Sequence, residues 1–149
     1  MENKEFSKKL QARTKAFAIR IIKLSASLPE TIEGKTVRNQ LTKSGTSIGA
    51  NYREANRARS RADFKSRIKI CESEASETSY WLEIISGMEW NEPNELEPII
   101  IEANELLSIF SSIGKTLNLA IPITLVTLVT LVTLVTLVTL VTLVTLNCI

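Results

Sequence analysis

"KSGTSIGANYREANRARS", residues 43–60, changes character half-way along. Its first half is small: Ser44, Gly45, Ser47, Gly49 and Ala50 surround one large apolar residue, Ile48. Its second half holds Arg53, Arg57 and Arg59, and Arg61 follows. A phosphate-binding loop would need GxxxxGK[ST] after an apolar strand. Here Gly45 and Gly49 are four apart, no Lys-Ser/Thr follows, and no apolar strand precedes. A membrane-packing GxxxG belongs in an apolar span of about 20 residues, but this one is flanked by Lys43 and Arg53. What remains is one amphipathic helix. Glycine costs about 1 kcal/mol in a helix interior. Two of them therefore point to a thin face that a neighbouring helix approaches closely, and Gly45 and Gly49 are read as packing residues.

The apolar spacing outside this stretch is also helical. Phe6, Leu10, Phe17, Ile21, Leu24 and Leu28 share a narrow face, and Pro29 follows as expected beyond a helix end. Val37, Leu41, Ser44, Ile48 and Ala55 form a second stripe, and Phe64, Ile68, Cys71, Ala75, Leu82 and Ile85 a third. Gly87 lies where a C-terminal cap is expected. Ile99, Ala103, Leu106, Phe110, Ile113 and Leu117 form the fourth stripe, with Asn94 or Glu95 opening its helix. Short polar connections make neighbouring helices antiparallel. The fold expected is all-α, an antiparallel up-down four-helix bundle over residues 1–118.

Residues 119–149 form a separate low-complexity tail. No charge occurs from Thr116 to Ile149, and Thr124–Val144 is seven consecutive copies of Thr-Leu-Val. A period of three matches neither strand nor helix, so threonines spiral around a helix or alternate on a strand. Neither arrangement gives an amphipathic face, and the tail is not expected to serve as a fifth bundle helix. Three readings stand. The tail is long enough for a membrane span, which needs about 20 apolar residues, although its threonines and the lack of a basic residue beyond it argue against one. Its Val and Thr content suits an aggregating β segment. Its repetition suits passive expansion of a short DNA repeat. No function is assigned to it.

The net charge is only +2, but its distribution is uneven. Residues 35–69 hold ten Lys/Arg against Glu54 and Asp63, while residues 72–105 hold ten Glu and no basic residue. Such a split suits a polyanion partner, or self-association of opposite patches. On the second helix Arg38, Lys43, Arg53 and Arg57 turn away from the Leu41/Ile48 face. With Arg59 and Arg61 they form the candidate nucleic-acid surface, since Arg suits bidentate phosphate contacts. Only Tyr52 offers an aromatic ring there, so binding would be directed at the backbone and sensitive to salt.

There is no histidine, which removes Ser-His-Asp and Cys-His catalysis and most zinc and haem sites. Cys71 and Cys148 lack metal or redox spacing, and Cys71 is read as a core thiol. Glu54, Glu74 and Glu77 are read as ion-pair partners, not as metal ligands. No catalytic residue, metal or cofactor is expected. The charged N-terminus is not a signal peptide, so a cytoplasmic location is expected.

The segment from Gln40 to Ile85 carries "SGTSIGANYREA", then "S.ADF", then "EA.ET.YWLE". It resembles the four-helix-bundle family of 23S ribosomal RNA intervening-sequence proteins, and the helical periods carry the resemblance from Phe6 to Leu117. The resemblance implies an all-α bundle, a homopentameric assembly and no enzymatic activity. The family also resembles the accessory protein of diversity-generating retroelements. That likeness implies nucleic-acid binding through a basic surface and a reverse transcriptase as partner. Tyr80 and Trp81, in the last motif, are read as packing or subunit-interface residues.

Overall fold

The computed structural model describes the backbone of residues 2–119 and 123–146, and side chains over 4–117 and 127–139; Cys148 lies outside them. Five helices follow in order: α1 Glu2–Ser27, α2 Ile32–Ala55, α3 Arg61–Gly87, α4 Pro93–Leu119 and α5 Ile123–Leu146. No strand occurs among the described residues. The chain divides into two compact units, Met1–Lys115 and Thr116–Ile149.

In the first unit, α1 to α4 bury the stripes that their spacing marks. Leu10, Phe17, Ile21, Leu24 and Leu28 are buried, as are Val37, Leu41, Ile48 and Ala55. Ile68, Cys71, Ala75, Leu82 and Ile85 complete the core with Ile99, Ala103, Leu106 and Phe110. Pairings along the helices run in opposite directions. Ser7 donates to Asn56 at one end of α1, while Gly49 meets Thr14 and Gly45 meets Ile21 further along. Residue numbers rise on α1 as they fall on α2, so the pair is antiparallel. Cys71 lies beside the Ile48 carbonyl across α2 and α3 (Sγ–O 3.6 Å). α4 is joined to α3 by Ser79 donating to Asn104 (3.2 Å). It meets α2 diagonally through an edge-on Tyr52–Phe110 contact, with centroids 5.4 Å apart.

Helix ends follow from local chemistry. Thr31 caps α2 by accepting from the Gly34 N–H (3.1 Å). Ser60 caps α3 by accepting from the Asp63 N–H (3.1 Å). Each satisfies an amide that the first helical turn leaves unpaired. Pro93 opens α4, one or two residues before the expected Asn94 or Glu95, because proline lacks only an N–H that the first turn does not use. The C-terminal cap of α3 departs from the expected place. Gly87 is still helical, and the left-handed residue is Glu89, at φ 54°.

In the second unit, Ile123–Leu146 is helical although its repeat forms no amphipathic face. Helical hydrogen bonds are local and need no such face. Leucine is a good helix former, and each hydroxyl can bond back along its own helix. Thr133, for instance, donates to the carbonyls of Val129 (3.0 Å) and Thr130 (2.9 Å). Among the described residues no helix is long and apolar enough to cross a membrane.

Candidate nucleic-acid interface

An up-down bundle brings the start of α1, the end of α2, the start of α3 and the end of α4 to one end. The sequence loads that end with cations. Lys4, Lys8 and Lys9 lie in the first turns of α1, and Arg53 in the last turn of α2. Arg57 and Arg59 occupy the connection, Arg61 and Lys65 open α3, and Lys115 stands near the end of α4. Among the described side chains, the acids there are Glu5, Glu54 and Asp63. The opposite end carries Glu30, Glu33, Glu83, Glu89, Glu92, Glu95 and Glu97 against Arg20, Lys23, Lys35 and Arg38. The charge asymmetry of the sequence thus becomes an asymmetry along the bundle axis.

The six residues of the expected basic surface do not all meet. Arg53, Arg57, Arg59 and Arg61 cluster at the α2–α3 junction, and all four are exposed. Among the described residues no ion pair engages the side chains of Arg53, Arg59 or Arg61, and Arg57 makes only a loose contact with Glu54 (3.9 Å). Arg38 lies 15 residues before Arg53 on the same helix, about 22 Å along it. It donates to Glu30 (2.6 Å) and to the Leu28 carbonyl (2.5 Å). Arg38 thereby ties down the α1–α2 connection, and its hydrogen bond first, then its charge, hold the Glu30 carboxyl below the usual carboxylate range. Lys43 stands between the two ends.

The acidic window is partly answered inside the chain. Arg13 grips α4: Nε donates to Glu102 (2.6 Å), and Nη2 donates to both Glu102 and Glu105. These bonds raise the Arg13 pKa further above its already high value. Lys69 pairs with Glu72 (3.0 Å). Trp81 donates to Glu77 (3.2 Å) and packs edge-on against the exposed ring of Tyr80 (5.0 Å). Glu74 is the strained member of the acidic set. Burial first, and then nearby Glu77, raise its pKa, with Lys43 opposing. Its Oε2 is buried without a hydrogen-bond partner. Among the described residues, no group of three or more Asp, Glu or Cys is placed to hold a metal ion. The Arg13 clamp was not visible in the sequence, because its partners are 89 and 92 residues away.

The glycines serve close packing. A Cβ on Gly45 would lie 2.7 Å from Ile21 Cγ2, and one on Gly49 would lie 3.3 Å from the Thr14 carbonyl oxygen. The "SGTSIGA" stripe is therefore the α2 side of the α1–α2 contact, and the arginines that follow it project beyond that contact.

The profile of the 23S rRNA-intervening sequence proteins matches residues 7–112. The chain belongs to that family. The match runs from within α1 to within α4 and stops short of α5. A crystal structure from the S23 ribosomal protein family, from Bacteroides thetaiotaomicron, is similar to this family member at 38% identity and a TM-score of 0.66. The similarity covers 70% of this chain and 97% of that one, a protein described as of unknown function. No curated protein matches.

Proposed function

We propose that the protein is a non-enzymatic, cytoplasmic nucleic-acid-binding oligomer that contacts the RNA or DNA backbone with the basic end of its bundle. The observation that carries this reading is the cluster of Arg53, Arg57, Arg59 and Arg61 at one helix junction, with three of the four outside any ion pair among the described residues. Unpaired guanidinium groups are free to exchange bound anions for phosphates, and counterion release then drives binding. The test is a salt titration with a generic RNA and a duplex DNA. Affinity should fall steeply as salt rises, and replacing Arg59 and Arg61 with Ala should reduce the logarithmic slope by about two. A slope near zero overturns the reading.

The axial charge separation favours a second reading, a scaffold in which the basic end of one copy meets the acidic end of the next. Sedimentation at low and high salt separates the two. Salt-sensitive association without nucleic-acid binding would favour the scaffold.

A further inference from the structure

The bundle surface also carries a groove that adjoins the basic end. It lies between α1 and α2 and has a volume of about 450 Å³, within the range of sites that hold small ligands. Ala18, Gly49 and Ala50 contribute no bulk to it, while Lys15 and Arg53 supply two cations. Gly49 sets the close approach of the helices, because its missing Cβ lets the α1 backbone at Thr14 come near. Among the described residues neither Lys15 nor Arg53 has an ion pair. The groove's carboxylate, Glu54, has Arg57 beside it at 3.9 Å.

We infer that this groove seats a stretch of phosphodiester backbone continuing from the arginines at the end of the bundle. The inference rests on the nucleic-acid reading above and gives it a track. Arg53 belongs both to the groove and to the basic end, and Arg57 stands in the connection that leaves α2 just beyond it. A chain of regularly spaced monoanions can therefore pass from one cation to the next. The shallow floor admits a sugar-phosphate ribbon that larger side chains at positions 18 and 50 would exclude. An acidic peptide is the competing occupant, and the test distinguishes it.

The full-length protein is titrated with a 20-nucleotide single-stranded RNA, a 20-base-pair DNA duplex and poly-glutamate of matched charge. Three variants are compared with it: Ala50→Leu, Lys15→Ala and the Arg59→Ala/Arg61→Ala pair. Ala50 is exposed, so Ala50→Leu should unfold at the same temperature while filling the groove. It should weaken binding of at least one nucleic acid about tenfold without changing the salt slope, since no cation is lost. Lys15→Ala should lower the slope by about one, which tests the groove even if Ala50→Leu folds poorly. The nucleic acid that responds identifies the source of the backbone. If both groove variants bind RNA and DNA as wild type does, while the paired arginine variant binds more weakly, the groove is overturned and the basic end stands. If wild type binds neither nucleic acid, the functional reading falls and the groove falls with it. If poly-glutamate alone responds to Ala50→Leu, the groove holds an acidic peptide and the inference is overturned.

Discussion

Gly45 of α2 faces Ile21 of α1 with no room for a methyl group: a Cβ there would lie 2.7 Å from Cγ2 and 2.9 Å from Cγ1. Ile21 is fully buried, so it has no solvent to move into. Gly45→Ala gains about 1 kcal/mol of helix propensity and loses about 1–3 kcal/mol to overpacking. The net expectation is a destabilised bundle. Ile21→Ala removes both clashing carbons, and in that background Gly45→Ala should become stabilising. Chemical unfolding of the four members of this cycle should return a coupling energy of about 1–3 kcal/mol. Additive effects would show that the two residues do not meet.

Two other glycines should respond in opposite directions to the same substitution. A Cβ on Gly34 would lie 2.1 Å from the Pro29 carbonyl oxygen. That neighbour is backbone, held against α2 by the Arg38 tether, and it cannot rotate aside. Gly34→Ala should lose about 3 kcal/mol or more. Gly87 has nothing within 4 Å of its would-be Cβ, and its φ is not positive. Gly87→Ala should therefore gain about 0.5 kcal/mol. Thermal unfolding orders the variants as Gly87→Ala above wild type and Gly34→Ala well below it.

Glu89 occupies the position where a glycine would be expected. The Trp90 N–H reaches the Ile85 carbonyl (3.3 Å) and the Glu89 N–H reaches Ser86 (3.1 Å). Those two bonds define a Schellman termination of α3, whose left-handed residue is Glu89 at φ 54°. A side chain in that conformation costs about 1–2 kcal/mol. Glu89→Gly should raise stability by about 1 kcal/mol, and Glu89→Val should lower it. Equal melting temperatures for wild type and Glu89→Gly would contradict this account.

The misplaced cap shows which features the sequence could supply. Periodicity is local, so Leu41, Ile48, Ile68 and Leu82 could be assigned to the core from spacing alone, and each is fully buried. Phe6 shares the α1 stripe but is 52% exposed. Its neighbour Ser7 already meets Asn56, just past the end of α2, so little of α2 remains to cover it. Gly87 satisfied the composition rule for a cap. The cap nevertheless falls two residues later, after the helix that carries buried Leu82 and Ile85. The arginine run at 53–61 was legible as a cluster because neighbours in sequence remain neighbours at a helix junction. Arg38 was grouped with it by helical angle, which records direction around an axis and not distance along it. The Arg13–Glu102 clamp joins the two outer helices of the bundle order. No local pattern encodes such a pair.

Cys71 gives the stability of the core a pH dependence in the alkaline range. Burial pushes its thiol up to about 12, against roughly 8.5 for an exposed thiol. Between those values the unfolded chain has released the proton and the folded chain still holds it. The unfolded state therefore binds fewer protons, and the stability contributed by this site falls as pH rises, by at most about 1.4 kcal/mol per pH unit. Below about pH 8 the contribution is complete and flat. Cys71→Ala removes the titration but leaves a small cavity in a fully buried site, at about 1 kcal/mol. Wild type should be the more stable protein at pH 7, and its advantage should shrink between pH 9 and 11. Taking the difference between the two unfolding curves cancels the lysines and tyrosines that titrate in both proteins. A constant difference from pH 7 to 11 would mean that the thiol ionises as readily in the fold as outside it.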